Sequence, residues 1–165
     1  MFLHRLWAIG EEGRSSIQKV TASPIVAQGG ECMASFYTAE GVMILACYGH
    51  LRFAAATSDA IKKVIEWYGE SPGFFDGDQL FFNDPYIAGA HTYDMLIMKP
   101  IFHDGVLTNW IASSIHTADT GGSLRGVATE IYHEGIRIQG AKIVEKGEFR
   151  EDTFLCLTQQ CRDPE

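Results

Sequence analysis

A chain of 165 residues, 46% hydrophobic and 21% charged, has the composition of one globular domain with a real core. Its 13 basic and 21 acidic residues leave a net charge of −8 and a pI near 5.2; with no basic run, it offers no electrostatic footprint for nucleic acid or an anionic membrane. No stretch approaches the ~18 continuous apolar residues of a membrane span, and the opening MFLHRLWAIGEEG breaks into charge too early for a signal peptide, so a cytoplasmic location is the default expectation.

Residues 3–18 read as a helix through Leu3, Leu6, Trp7 and Ile9, weakened by Gly10 and Gly13. Residues 32–38 and 41–48 read as a hairpin around Ala39-Glu40-Gly41, with His50 after it as a packed or surface histidine rather than a ligand. Thr57 or Ser58 is expected to cap a helix running to Tyr68, whose Ile61, Val64, Ile65 and Tyr68 form an apolar stripe. A turn-rich connection, Gly69 to Asp78, leads to a short strand over Gln79 to Asn83. Asp84 precedes Pro85 and is pushed to an extended conformation; Asn83 and Asp84 are expected to hold the next loop by side-chain-to-backbone bonds. Cys32, Cys47, Cys156 and Cys161 form no CxxC pair and read as reduced, buried small hydrophobes.

The stretch from Asn83 to Gly122 concentrates the chemistry. Met95 to Phe102 and Val106 to Ile115 are apolar, β-branched runs joined by His103-Asp104-Gly105, which predicts a hairpin. With Asp104 at the turn centre, Asp94 faces Ser114 and Thr92 faces His116, so Asp94 and His116 share one face on a diagonal, roughly 7–8 Å apart at the backbone. His91 reaches in from the entering loop. Two imidazoles and a carboxylate at one place compose an open catalytic site for a transition metal. His91-Thr92-Tyr93-Asp94 is echoed by His116-Thr117-Ala118-Asp119, which makes Asp119 a further ligand, a general base or a partner orienting His116, the last two being preferred. The competing reading is a hydrogen-bonded polar network at the rim of a sheet. Gly121-Gly122 and Gly126 mark either a mobile loop closing over the site or a plain linker.

No GxxxxGK[ST] or GxGxxG occurs, so nothing here binds ATP by a readable motif. Thr129 to Val144 carries Glu130, Tyr132, His133, Glu134 and Gly135 before an extended apolar segment, and residues 149–161 read as a helix. The polar, Pro-containing ending reads as a truncation or a domain boundary. The expected fold is α+β, with antiparallel β-hairpins or a mixed sheet and flanking helices.

GDQLFFNDPYIAGAHTYD, PIFHDGVL, HTADTGG, TEIYHEGIRI and the closing CRDPE together resemble the successive motifs of the hydantoinase B/oxoprolinase family. That family includes B subunits of N-methylhydantoinases, part of 5-oxoprolinase and the large subunits of acetone and acetophenone carboxylases. The resemblance implies that residues 1–165 are a single N-terminal portion of a longer B-type subunit. It also implies a hetero-oligomer in which an A-type partner uses ATP to phosphorylate the substrate. A manganese ion held by a His-x-x-Asp pair and a later His, as in acetone carboxylase, maps to His91, Asp94 and His116; manganese, zinc or iron is the expected cofactor. Two departures stand out: Ala88-Gly89-Ala90 where relatives often have Gly-Gly, and Ala54 where many have a second histidine. Three functions follow as expectations: an ATP-dependent cyclic amide hydrolase, preferred for its breadth in the family; a ketone carboxylase; and a non-catalytic scaffold subunit.

Overall fold

The computed structural model describes residues 2–47, 49, 51–123 and 128–162, Leu51 by its backbone alone. His50 and Gly126 lie outside the described residues. The elements are α1 (Phe2–Val20), α2 (Pro24–Ala27), β1 (Cys32–Thr38), β2 (Met43–Ala46), α3 (Leu51–Tyr68), β3 (Gln79–Phe82), β4 (Asp94–His103), β5 (Val106–His116), a 3-10 turn (Ile131–His133), β6 (Gln139–Glu145), β7 (Glu148–Phe149) and α4 (Glu151–Thr158). The strands form one seven-stranded sheet in the order β2-β1-β5-β4-β3-β6-β7, and every pairing is antiparallel. The architecture is α+β. No helix among the described residues is long and apolar enough to cross a membrane.

The two-residue period of the strands sorts side chains between the sheet's faces. Tyr37, Leu80, Phe82, Leu96, Met98, Trp110 and Ala112 point to one side and bury Ala60, Ile61 and Val64 of α3. Each fully buried large apolar side chain there contributes about 1.5–3 kcal/mol before entropy is counted. On the opposite face α1 lies across β1 and β2. Gly10, which weakens the helix in isolation, is what lets it approach: a Cβ there would stand 1.9 Å from the Cys47 sulfur.

α3 begins at Leu51, six residues before the expected cap. Thr57 and Ser58 are interior and buried; Ser58 Oγ donates to Gly41 O at 2.5 Å, and Thr57 Oγ1 lies 3.4 Å from Ser114 Oγ. With partners supplied by the rest of the fold, these hydroxyls need not end the helix, and Ala54-Ala55-Ala56 favours extending it.

The β4–β5 register also differs from expectation. The tip is a two-residue turn, Asp104-Gly105, at φ 50° and 78°, between paired His103 and Val106. A bulge follows, so that Ile101 pairs with Asn109 while Phe102 pairs with Leu107. Their combined effect is to set Asp94 directly opposite His116 rather than on a diagonal.

Candidate metal centre

Asp94 opens β4 and His116 closes β5, both buried, with Asp94 Oδ1 2.9 Å from His116 Nδ1. The other carboxylate oxygen accepts the Ala90 N–H at 2.8 Å. To deliver that amide the chain doubles back over Asp94 at Gly89, where φ is +102° and a Cβ would stand 2.9 Å from Asp94 Cβ and 3.1 Å from its Oδ2. Only glycine fits such an approach. His91 projects from the same loop, its ring centroid 4.8 Å from that of His116 and its Nε2 3.5 Å from Asp94 Oδ1.

Buried polar groups brace this loop. Asn83 Nδ2 donates to Thr92 O at 2.8 Å and Ile136 O at 2.9 Å, while its Oδ1 accepts Ile138 N at 2.7 Å. Asp84 Oδ1 accepts the Tyr86 N–H at 3.0 Å, and Glu134 Oε2 accepts that of Thr92 at 2.8 Å. Asn83 and Asp84 thus have the bracing role expected of them.

Burial pushes the Asp94 carboxyl up, but hydrogen bonds from His116 and the Ala90 amide, with the fields of His91 and His116, outweigh it and hold the group below its ordinary 3.8. It stays ionised. The candidate ligand atoms of His91, Asp94 and His116 all lie within 4.8 Å of one another. His91 Nε2 is buried with no hydrogen-bond partner, a feature that a purely hydrogen-bonded rim network does not explain. Two imidazoles, one of them with an orphaned ring nitrogen, and an ionised carboxylate fit a divalent transition metal.

Asp119 goes elsewhere. Its Oδ2 accepts the Arg162 N–H at 2.6 Å, and its Oδ1 accepts Arg162 Nη1 at 2.7 Å and the Gly121 N–H at 3.0 Å. Burial raises this carboxyl, yet the Arg162 and Gly121 donors bring it below its usual range. His116 is oriented by Asp94 instead. Gly121 and Gly122 form a packed crossing with Gly135, while Gly126 lies outside the described residues. Gly121 bridges Gly135; a Cβ at Gly121 would lie 2.0 Å from Gln160 O, one at Gly122 2.1 Å from the Glu134 carbonyl carbon, and one at Gly135 2.0 Å from Thr120 O.

Two neighbours escape the sequence reading. Glu31 Oε2 lies 4.0 Å from His116 Nδ1, and Arg52 Nη2 4.0 Å from Asp94 Oδ1. The pairing of Cys32 with Ile115 is what carries Glu31 beside His116; a β1–β5 pairing would have been the signal. Arg52 arrives on the first turn of α3, which the expected helix start omits.

The His91, Asp94 and His116 cluster thus sits at the open end of the β4–β5 hairpin of an antiparallel sheet. Residues 1–165 match the hydantoinase B/oxoprolinase family from end to end, and the chain belongs to that family. It is 35% identical over 107 residues to caprolactamase subunit beta of Pseudomonas jessenii, covering 62% of this chain and 18% of that protein. With 5-oxoprolinase 1 of Arabidopsis thaliana it shares 27% identity over 163 residues, 96% of this chain and 13% of the relative. The solved nucleotide-free structure of acetone carboxylase, from work on ATP-dependent acetone carboxylation, superposes with a TM-score of 0.91 at 29% identity over 98% of this chain and 22% of that one. The chain therefore spans less than a quarter of the length of each.

Proposed function

We propose that this chain is the N-terminal, metal-binding portion of the B-type subunit of an ATP-dependent cyclic amide hydrolase, with His91, Asp94 and His116 as ligands. The observation that carries the reading is the convergence of the three with one imidazole nitrogen left unbonded in a buried setting. Glu31 is close enough to add a carboxylate oxygen. A divalent manganese, zinc or iron ion bound there supplies Lewis acidity toward a substrate oxygen.

The chain's own residues do the positioning. Asp94 remains anionic and fixes the His116 ring, the Asn83–Thr92–Glu134 bonds hold the loop bearing His91, and the half-exposed Arg52 brings positive charge toward the buried Asp94 carboxylate. Asp119 is assigned to anchoring Arg162 rather than to catalysis. ATP falls to an A-type partner in a hetero-oligomer, in keeping with the subunit naming of the caprolactamase relative. The hydrolase reading draws on the 5-oxoprolinase and caprolactamase relatives. A second reading, the corresponding subunit of a ketone carboxylase, draws on the acetone carboxylase superposition.

The test is elemental analysis of the purified full-length polypeptide beside a His91→Ala/His116→Ala variant and Asp119→Asn. About one metal ion per chain is expected, lost in the double variant and kept in Asp119→Asn. No metal in the wild type, with folding unchanged in the double variant, would return the site to a hydrogen-bonded scaffold. ATP-dependent turnover of lactams and hydantoins, against that of ketones with bicarbonate, in the presence of the partner then separates hydrolase from carboxylase.

A further inference from the structure

Arg14, Arg52, Arg150 and Arg162 each stand beside a carboxylate, those of Glu11, Asp94, Asp152 and Asp119. Arg137 does not. Its guanidinium carbon lies 5.4 Å from the ring centre of Tyr86 and 5.3 Å from that of Tyr132, and among the described residues its side chain forms no ion pair or hydrogen bond. Tyr86 belongs to the loop that leads to His91, Tyr132 to the 3-10 turn just before Glu134. Both rings are largely exposed, at 70% and 69%. In a chain with eight more acidic than basic residues, an arginine held by rings rather than by carboxylates has its charge in reserve.

The ring contacts hold the cation by its attraction to the ring quadrupoles and leave its N–H donors without a protein acceptor among the described residues. A guanidinium restrained in this way loses little further freedom on binding, and its parallel donors match a carboxylate or phosphate bidentately. Arg137 also contributes to the wall of an open cleft of about 610 Å³ that includes Lys142 and Arg150. Those two cations are already engaged, Lys142 with Asp78 at 2.8 Å and Arg150 with Glu145 at 2.6 Å. Arg137 is the one left to serve a ligand.

We propose that Tyr86, Arg137 and Tyr132 form a binding site for an oxyanion, a carboxylate or phosphate group carried by a small organic molecule. The site does not depend on the metal reading, since none of its three residues belongs to the His91, Asp94 and His116 cluster.

The experiment is calorimetric titration of the full-length, chelator-treated polypeptide with sodium phosphate and, separately, sodium succinate at fixed ionic strength. Saturable one-site binding of at least one anion is expected, weakened roughly tenfold or more in Arg137→Gln. Arg137→Lys keeps the charge but not the planar fork, so it is expected to fold as wild type by near-UV circular dichroism and still to bind several-fold more weakly; it carries the test if Arg137→Gln does not fold. A preference for phosphate marks phosphorylated ligands and a preference for succinate marks carboxylates, either in support of the site. The proposal is overturned if neither anion saturates, or if both variants bind as tightly as wild type.

Discussion

The β4–β5 hairpin carries a histidine and an aspartate at each of its ends, and only one end has the makings of a site. At the tip, His103 Nε2 lies 3.6 Å from Asp104 Oδ2, with the side chains 82% and 91% exposed; at the base, His116 Nδ1 lies 2.9 Å from Asp94 Oδ1, with the side chains 4% and 0% exposed. Water satisfies the tip pair, and such an exposed contact is worth about 0–1 kcal/mol. At the base the protein must meet every lone pair itself. It does so with the His116 ring and the Ala90 amide, then brings in His91 with a nitrogen left over. Burial that is nearly but not wholly satisfied is what distinguishes a ligand cluster from a surface pair of the same composition.

The largest effect that tests this contrast is on stability. Asp94→Ala strips the acceptor from the buried His116 ring and the part-buried Ala90 amide and is expected to cost about 3–5 kcal/mol in denaturant unfolding, whereas His103→Ala should stay within about 0.5 kcal/mol of wild type. Similar losses at the two ends would break the comparison. A sharper probe leaves the ligands in place: Gly89→Ala pushes a methyl group into Asp94 and should weaken metal binding by roughly 10–100-fold in a competition titration. Gly105→Ala, with nothing within 4 Å, should leave metal affinity unchanged.

The smallest effect is in acid. Because the folded Asp94 carboxyl sits below its ordinary 3.8, the unfolded chain takes up the proton first; the stability it contributes is complete above that value and is lost as pH falls through and below it. Metal-free protein should show this acid limb, and Asp94→Ala should flatten it. An unaltered limb would place the acid sensitivity in other carboxylates.

The residues of the candidate centre are legible in the sequence because two apolar runs around a short turn force their outer ends together, whatever the exact register. The register itself is not legible, since a turn of two left-handed residues and a bulge after Ile101 look the same in sequence as the three-residue turn expected there. The HTxD echo misleads for a different reason. β5 ends at His116, and the fate of Asp119 is decided by Arg162, 43 residues away. Glu31 and Arg52 are hidden in the same sense: each reaches the centre from an element distant in the chain.

The crossing of Gly121, Gly122 and Gly135 leaves no room for a side chain at any of the three positions, because each meets backbone rather than a side chain that could turn aside. Such a junction has no gradual route to variation. A first substitution at any of its members must shift a neighbouring strand of chain before a second can compensate, so the crossing can be passed on intact or rebuilt as a unit but not adjusted one residue at a time.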